Sequence, residues 1–154
     1  GPIVRANPVT RVSGDTSAGG LSRLDWSLEG DVRVLVVALG ANDALRGLGT
    51  AELARNLSRI IERASARGVR VILAGMEAPP NLGPAYTSAF RGVYRDLAAR
   101  YRVAFLPFLL DGVAGVPALN QADGIHPNAA GARRVADLVW PYVERAAREA
   151  NRND

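Results

Sequence analysis

Cysteine and lysine are both absent from this chain of 154 residues, and histidine occurs once, at position 126. The first absence removes disulfide scaffolds, cysteine nucleophiles, cysteine zinc sites and iron–sulfur clusters. The second makes all 19 basic residues arginine and excludes Ser–Lys and Schiff-base chemistry. A single imidazole cannot build a poly-histidine metal centre. Aromatics are sparse at 6%. No apolar run reaches the ~18 residues that a membrane-spanning helix needs, and the N-terminus lacks the basic-then-apolar layout of a signal peptide. Any nucleophile in this chain is therefore a hydroxyl, a carboxylate or water.

A formal charge of +4 raises the question of nucleic acid. The arginines, however, stand singly or in pairs among acids, as in Arg55/Arg59/Glu62/Arg63 and in the i,i+4 pair Glu144/Arg148. Nucleic-acid binders cluster their positive charge, whereas this spacing describes solvated helix faces. Neither nucleic acid nor a membrane span is expected. Gly1-Pro2 is compatible with a protease scar, and the compartment is left open.

Three near-continuous apolar runs, Val32 to Leu39, Val69 to Met76 and Val103 to Leu109, have the composition of strands buried on both faces of a parallel sheet. The third carries Pro107. Val9 to Val12 is a shorter strand candidate. Between the strands lie helical spacings. Leu53, Leu57, Ile60, Ile61 and Ala64 fall on one face, with Thr50 as N-cap and Gly68 as stop. Tyr86, Phe90, Val93, Tyr94 and Leu97 follow Pro84, and Val135, Leu138, Val139, Tyr142 and Val143 follow Asn128, in a final helix that Pro141 should kink. Ser17 to Leu28 predicts a helix loosened at its start by Gly19 and Gly20. The alternation β-α-β-α-β-α-β-α predicts a three-layer αβα domain with a parallel sheet, a single domain over residues 1–154.

In such sheets ligands bind beyond the carboxyl ends of the strands, so chemistry is expected in the loops there. These hold Ser13-Gly14-Asp15-Thr16-Ser17, Gly40-Ala41-Asn42-Asp43, Glu77-Ala78-Pro79-Pro80-Asn81 and Asp123-Gly124-Ile125-His126-Pro127-Asn128. Taken alone, Asn42-Asp43 suits a turn, and Gly14 a tight bend. The proline-containing loop reads equally as a rigid connection or as pocket wall.

Taken together, SGDTSAGGLSRLDW, LGANDALRGL and DGIHPNAAGA resemble the later sequence blocks of the SGNH (GDSL-type) hydrolases, and most nearly their bacterial arylesterase, acyl-CoA thioesterase I and lysophospholipase subgroup. The resemblance implies the flavodoxin-like αβα fold and a Ser-His-Asp triad acting on acyl esters or thioesters, with no metal or organic cofactor. It assigns His126 as general base and Asp123 as the carboxylate that orients it. Gly14, through its backbone N–H, and Asn42, through its side-chain amide, become oxyanion donors. Related enzymes are often periplasmic or secreted.

The family's first block, Gly-Asp-Ser-Leu with the nucleophilic serine, does not stand in these residues. The expectation is a domain that is N-terminally incomplete, without its first strand. In the order 2-1-3-4-5 that strand is central, so its loss would leave two unpaired edges. A complementing N-terminal segment or exchange with a second copy would repair them. Alternatively Val9 to Val12 moves into the central place and brings Ser13, Thr16 or Ser17 towards His126, with Ser17 and Ser13 as substitute nucleophiles. The competing functional reading is a nucleophile-less acyl-binding module or inactive fragment.

Overall fold

The computed structural model describes residues 9–152. Four parallel strands, β1 (Val9–Ser13), β2 (Val34–Ala38), β3 (Arg70–Ala74) and β4 (Ala104–Leu106), lie in the spatial order β1-β2-β3-β4. The helices are α1 (Ser17–Ser22), α2 (Leu24–Ser27), α3 (Ala41–Leu45), α4 (Thr50–Ala66), α5 (Pro84–Tyr101) and α6 (Ala129–Arg152). Every residue of β2 is buried, as its unbroken apolar run requires. β4 is shorter than its run because Pro107 has no N–H to give to the ladder.

The two-residue period of the strands divides the core. Leu35, Val37, Val71 and Leu73 point into the larger cluster with Leu53, Leu57, Ile60, Phe90 and Tyr94 of α4 and α5. Val34, Val36 and Ile72 meet Val143 and Ala146 of α6 on the opposite face. The result is the expected αβα sandwich, with one long helix on the second face. α6 runs through Pro141 without interruption.

Two local expectations change. The helix from Ser17 to Leu28 is broken at Arg23 into α1 and α2. No gap opens beside β2: Val9 pairs with Val34, and the register continues to Ser13 with Ala38. β1 takes the ladder position next to β2, so the backbone groups that a missing strand would orphan are paired. The cost appears elsewhere. Val9 and Arg11 alternate onto the α6 side of the sheet, where Val9 is half-buried against the cluster of Val34, Val36 and Val143 and Arg11 is exposed.

Thr50 is the first helical residue of α4 and not its cap; Gly49 holds the cap position. At the far end Gly68, with φ +74°, closes the helix as its sequence position suggests. Gly40 has a stronger requirement. Its φ is +122°, and a Cβ there would collide with the Tyr94 hydroxyl, which donates to Leu39 O at 2.7 Å. Gly40→Ala combines a strained backbone with overpacking and is expected to cost roughly 2–4 kcal/mol, read as a lower urea midpoint at unchanged slope.

Candidate active site

The site is assembled at the carboxyl end of the sheet. Gly14 follows β1 directly, with φ +76°. Asn42 sits in the first turn of α3, just beyond β2. His126 comes from the loop between β4 and α6. That loop is held by asparagines: Asn120 is buried and donates to Val113 O (2.8 Å) and Val116 O (2.9 Å). Asn128 donates to Ala118 O (2.8 Å) and accepts the N–H of Gly131 (3.0 Å), which caps the start of α6. The His126 carbonyl accepts from Gln121 N–H at 2.8 Å. The exposed loop that carries His126 thus acquires a fixed shape from polar side chains that anchor its two ends.

Within the loop Asp123 organises the imidazole. Its Oδ2 lies 2.7 Å from His126 Nδ1, while Oδ1 accepts the backbone N–H groups of Ile125 (2.9 Å) and His126 (3.0 Å). With Nδ1 bound to the carboxylate, Nε2 is the ring atom left for chemistry. The hydrogen bond from the His126 side chain, followed by the two backbone N–H groups, lowers the Asp123 pKa from 3.8 to about 2. The carboxylate is therefore an acceptor throughout the neutral range. Its contribution to stability is therefore complete above the ordinary carboxylate value and is lost as pH falls towards about 2.

His126, Gly14, Asn42 and Ser13 line one cavity of about 780 Å³. Its wall is mainly apolar and runs down the α6 side of the sheet past Val36, Val139 and Val143, with exposed Leu45, Ile125 and Trp140 among its lining. Met76 contributes the wall at the end of β3; Pro79 and Pro80 lie outside the lining. The Asn42 amide donates to Gly14 O at 3.4 Å, a long contact that leaves the second amide hydrogen for another acceptor. Among the described residues no three His, Asp or Glu side chains gather to hold a metal ion. No helix of the described residues is long and apolar enough to cross a membrane.

The two substitute nucleophiles separate. Ser13 lines the cavity with His126, whereas Ser17 is fully buried outside that lining. Ser17 Oγ donates to Asp43 Oδ2 at 2.6 Å and accepts from Asn56 Nδ2 at 3.0 Å. Thr16 is also turned away, its hydroxyl capping α1 by accepting from Gly19 N–H at 3.1 Å. Sequence reasoning missed Asp43 and Asn56 as partners of this serine. A signal existed for Asn56, a polar residue three after Leu53 and four before Ile60 on the inward stripe of α4.

Residues 3–134 match the profile of the GDSL-like lipase/acylhydrolase family. The chain belongs to that family. Esterase TesA of Pseudomonas aeruginosa is 48% identical over 134 residues, which cover 86% of this chain and 67% of that protein. Thioesterase 1/protease 1/lysophospholipase L1 of Escherichia coli K12 is 37% identical over 134 residues, 86% of this chain and 64% of its own. The crystal structure of TesA superposes with a TM-score of 0.80 at 47% identity, covering 87% of this chain and 75% of the other. The chain thus spans about two thirds of the length of these two curated relatives.

Proposed function

We propose that this chain is the base-and-oxyanion portion of a serine ester hydrolase acting on short-to-medium acyl esters, aryl esters or thioesters. The observation that carries the reading is the convergence of His126, backed by Asp123, with Gly14 and Asn42 on one mainly apolar cavity. In the reaction a serine hydroxyl attacks the acyl carbonyl and His126 Nε2 takes its proton. The oxyanion is stabilised by the Gly14 N–H and the Asn42 amide. His126 then returns the proton to the departing alcohol or thiol. Water, deprotonated by the same imidazole, releases the acid and regenerates the serine.

The serine is supplied by a segment outside these residues. Three features support this. No Gly-Asp-Ser-Leu block occurs in the chain, Ser17 is committed to Asp43, and among the described residues a mainly apolar bed runs from Val9 past Val139 and Trp140 to His126. A strand and helix carrying the serine would bury Val9 and Trp140 along that bed. Homo-oligomerisation, with the bed covered by a second copy, is the alternative way to bury it. Asn42→Ala in the protein together with its serine-bearing segment is expected to lower kcat by about 10²–10³-fold with a small change in KM, measured on p-nitrophenyl butyrate. An unchanged kcat would remove Asn42 from the oxyanion site.

The absent block also favours a second reading, a module that binds acyl groups without turnover. Titration of the 154-residue chain with a fatty acid, set beside ester turnover by the complemented protein, separates the two: binding with no turnover in either form supports the module.

A further inference from the structure

Asp43 is a carboxylate only 2% exposed, and the reaction above does not use it. Both of its oxygens are engaged by one residue. Oδ1 accepts the Ser17 N–H at 2.7 Å and Oδ2 the Ser17 hydroxyl at 2.6 Å. Asn56 of α4 completes the set by donating to Ser17 Oγ at 3.0 Å. Burying a carboxylate is costly unless it is fully hydrogen-bonded, and here the bonds link the first turns of α1 and α3, which are distant in sequence.

The placement of that link matters. The β1–β2 ladder ends at Ser13 with Ala38. Beyond it the chain diverges into the segment bearing Gly14 and the segment bearing Asn42. Past the last ladder pair, the direct Asn42–Gly14 contact is long, at 3.4 Å, while the Asp43–Ser17 bonds are short and charge-assisted. The Asn42 segment is also tied at both ends to α5, by Tyr94 OH to Leu39 O (2.7 Å) and Tyr86 OH to Leu48 O (2.6 Å). Those ties fix the segment to α5. Asp43 registers it against the Gly14 loop.

We infer that Asp43 is a positioning residue for the oxyanion site: its two-point bond to Ser17, backed by Asn56, sets the separation of the Gly14 and Asn42 donors. The inference rests on the hydrolase reading for its catalytic consequence and on the geometry alone for its structural one. A donor misplaced by about 1 Å can cost on the order of 10²-fold in rate.

The test compares Asp43→Ala, Asp43→Asn, Ser17→Ala and the double variant Asp43→Ala/Ser17→Ala in the protein together with its serine-bearing segment. Ile61→Ala, a core truncation in α4, is the control for lost stability. Asp43→Ala is expected to lower kcat by on the order of 10²-fold while KM changes little. Ser17→Ala falls in the same direction by a smaller amount, since its backbone N–H still reaches Asp43 Oδ1, and the double variant is no worse than Asp43→Ala, which already removes both bonds. Asp43→Asn retains part of the rate, since its amide oxygen still accepts one Ser17 bond. Asp43→Ala turnover equal to that of Ile61→Ala at a matched distance below each melting temperature would overturn the inference.

Amide hydrogen exchange on the 154-residue chain gives an answer independent of turnover. Ser17→Ala is expected to speed exchange across the gap, in residues 40–43, and Asp43→Ala in residues 14–17, with β3 unaffected. Exchange at the wild-type rate in both segments overturns the proposal. Wild-type protein that turns over no ester overturns the hydrolase reading instead, and the exchange result still decides the coupling.

Discussion

Replacing His126 with alanine is expected to lower kcat of the serine-complemented protein by about 10⁴–10⁶-fold, because the triad base and its serine act as one unit. His126 is the only histidine in the chain, and no lysine exists to act as a substitute base. Fold and substrate binding should survive. The side chain is exposed, and the loop around it is anchored through Asn120 and Asn128. The expected signature is thus a collapsed kcat at a nearly unchanged KM and melting temperature. A loss below tenfold would show that proton transfer does not pass through this imidazole.

Asp123→Asn carries the second largest effect, a fall of roughly 10⁴-fold, because an asparagine in the place of a triad carboxylate admits the wrong imidazole tautomer. In this site the substitution acts twice. It replaces the acceptor 2.7 Å from His126 Nδ1, and it weakens the charge that holds the Ile125 and His126 N–H groups. Raising the pH does not restore the rate, since the defect is tautomeric and not one of ionisation. In the wild type the Asp123 pKa near 2 means that this carboxylate does not set the acid limb of kcat/KM in ordinary assay buffers. Measuring both variants from pH 5 to 9 checks the two statements together. A full recovery of Asp123→Asn at high pH would contradict the assigned role.

The elements most legible in the sequence are those with one dominant cause. β2 and β3 declare themselves because strands covered on both faces need apolar residues without alternation, and α4 because Leu53, Leu57, Ile60, Ile61 and Ala64 form one stripe. The site is legible for a related reason. Parallel strands deliver their following loops to one end of the sheet, which brings Gly14, Asn42 and His126 to one cavity although they are widely spaced in the chain.

Less legible are the features that depend on long-range partners. Nothing local in Ser17 shows that its hydroxyl is taken by Asp43, 26 residues on, or that Asn56 would complete the bond. Tyr86 and Tyr94 of α5 read as core, and Phe90 does pack between them at 6.1 and 5.5 Å from their rings. Their hydroxyls nevertheless reach out of that core to hold both ends of the Asn42 segment. The pairing of β1 with β2 stands in the sequence only as an alternative, because its driving force is collective. Backbone groups left unpaired in mid-sheet are costly enough to draw a half-apolar strand into the adjacent ladder position.

The most direct test of the account is to treat the protein together with its serine-bearing segment with a fluorophosphonate, then locate the adduct by intact mass and peptide mapping, in wild type and in His126→Ala. The account predicts one adduct, on a serine outside these 154 residues, whose formation is lost when His126 is replaced. An adduct on Ser13 or Ser17, or one that forms equally well in His126→Ala, would contradict it.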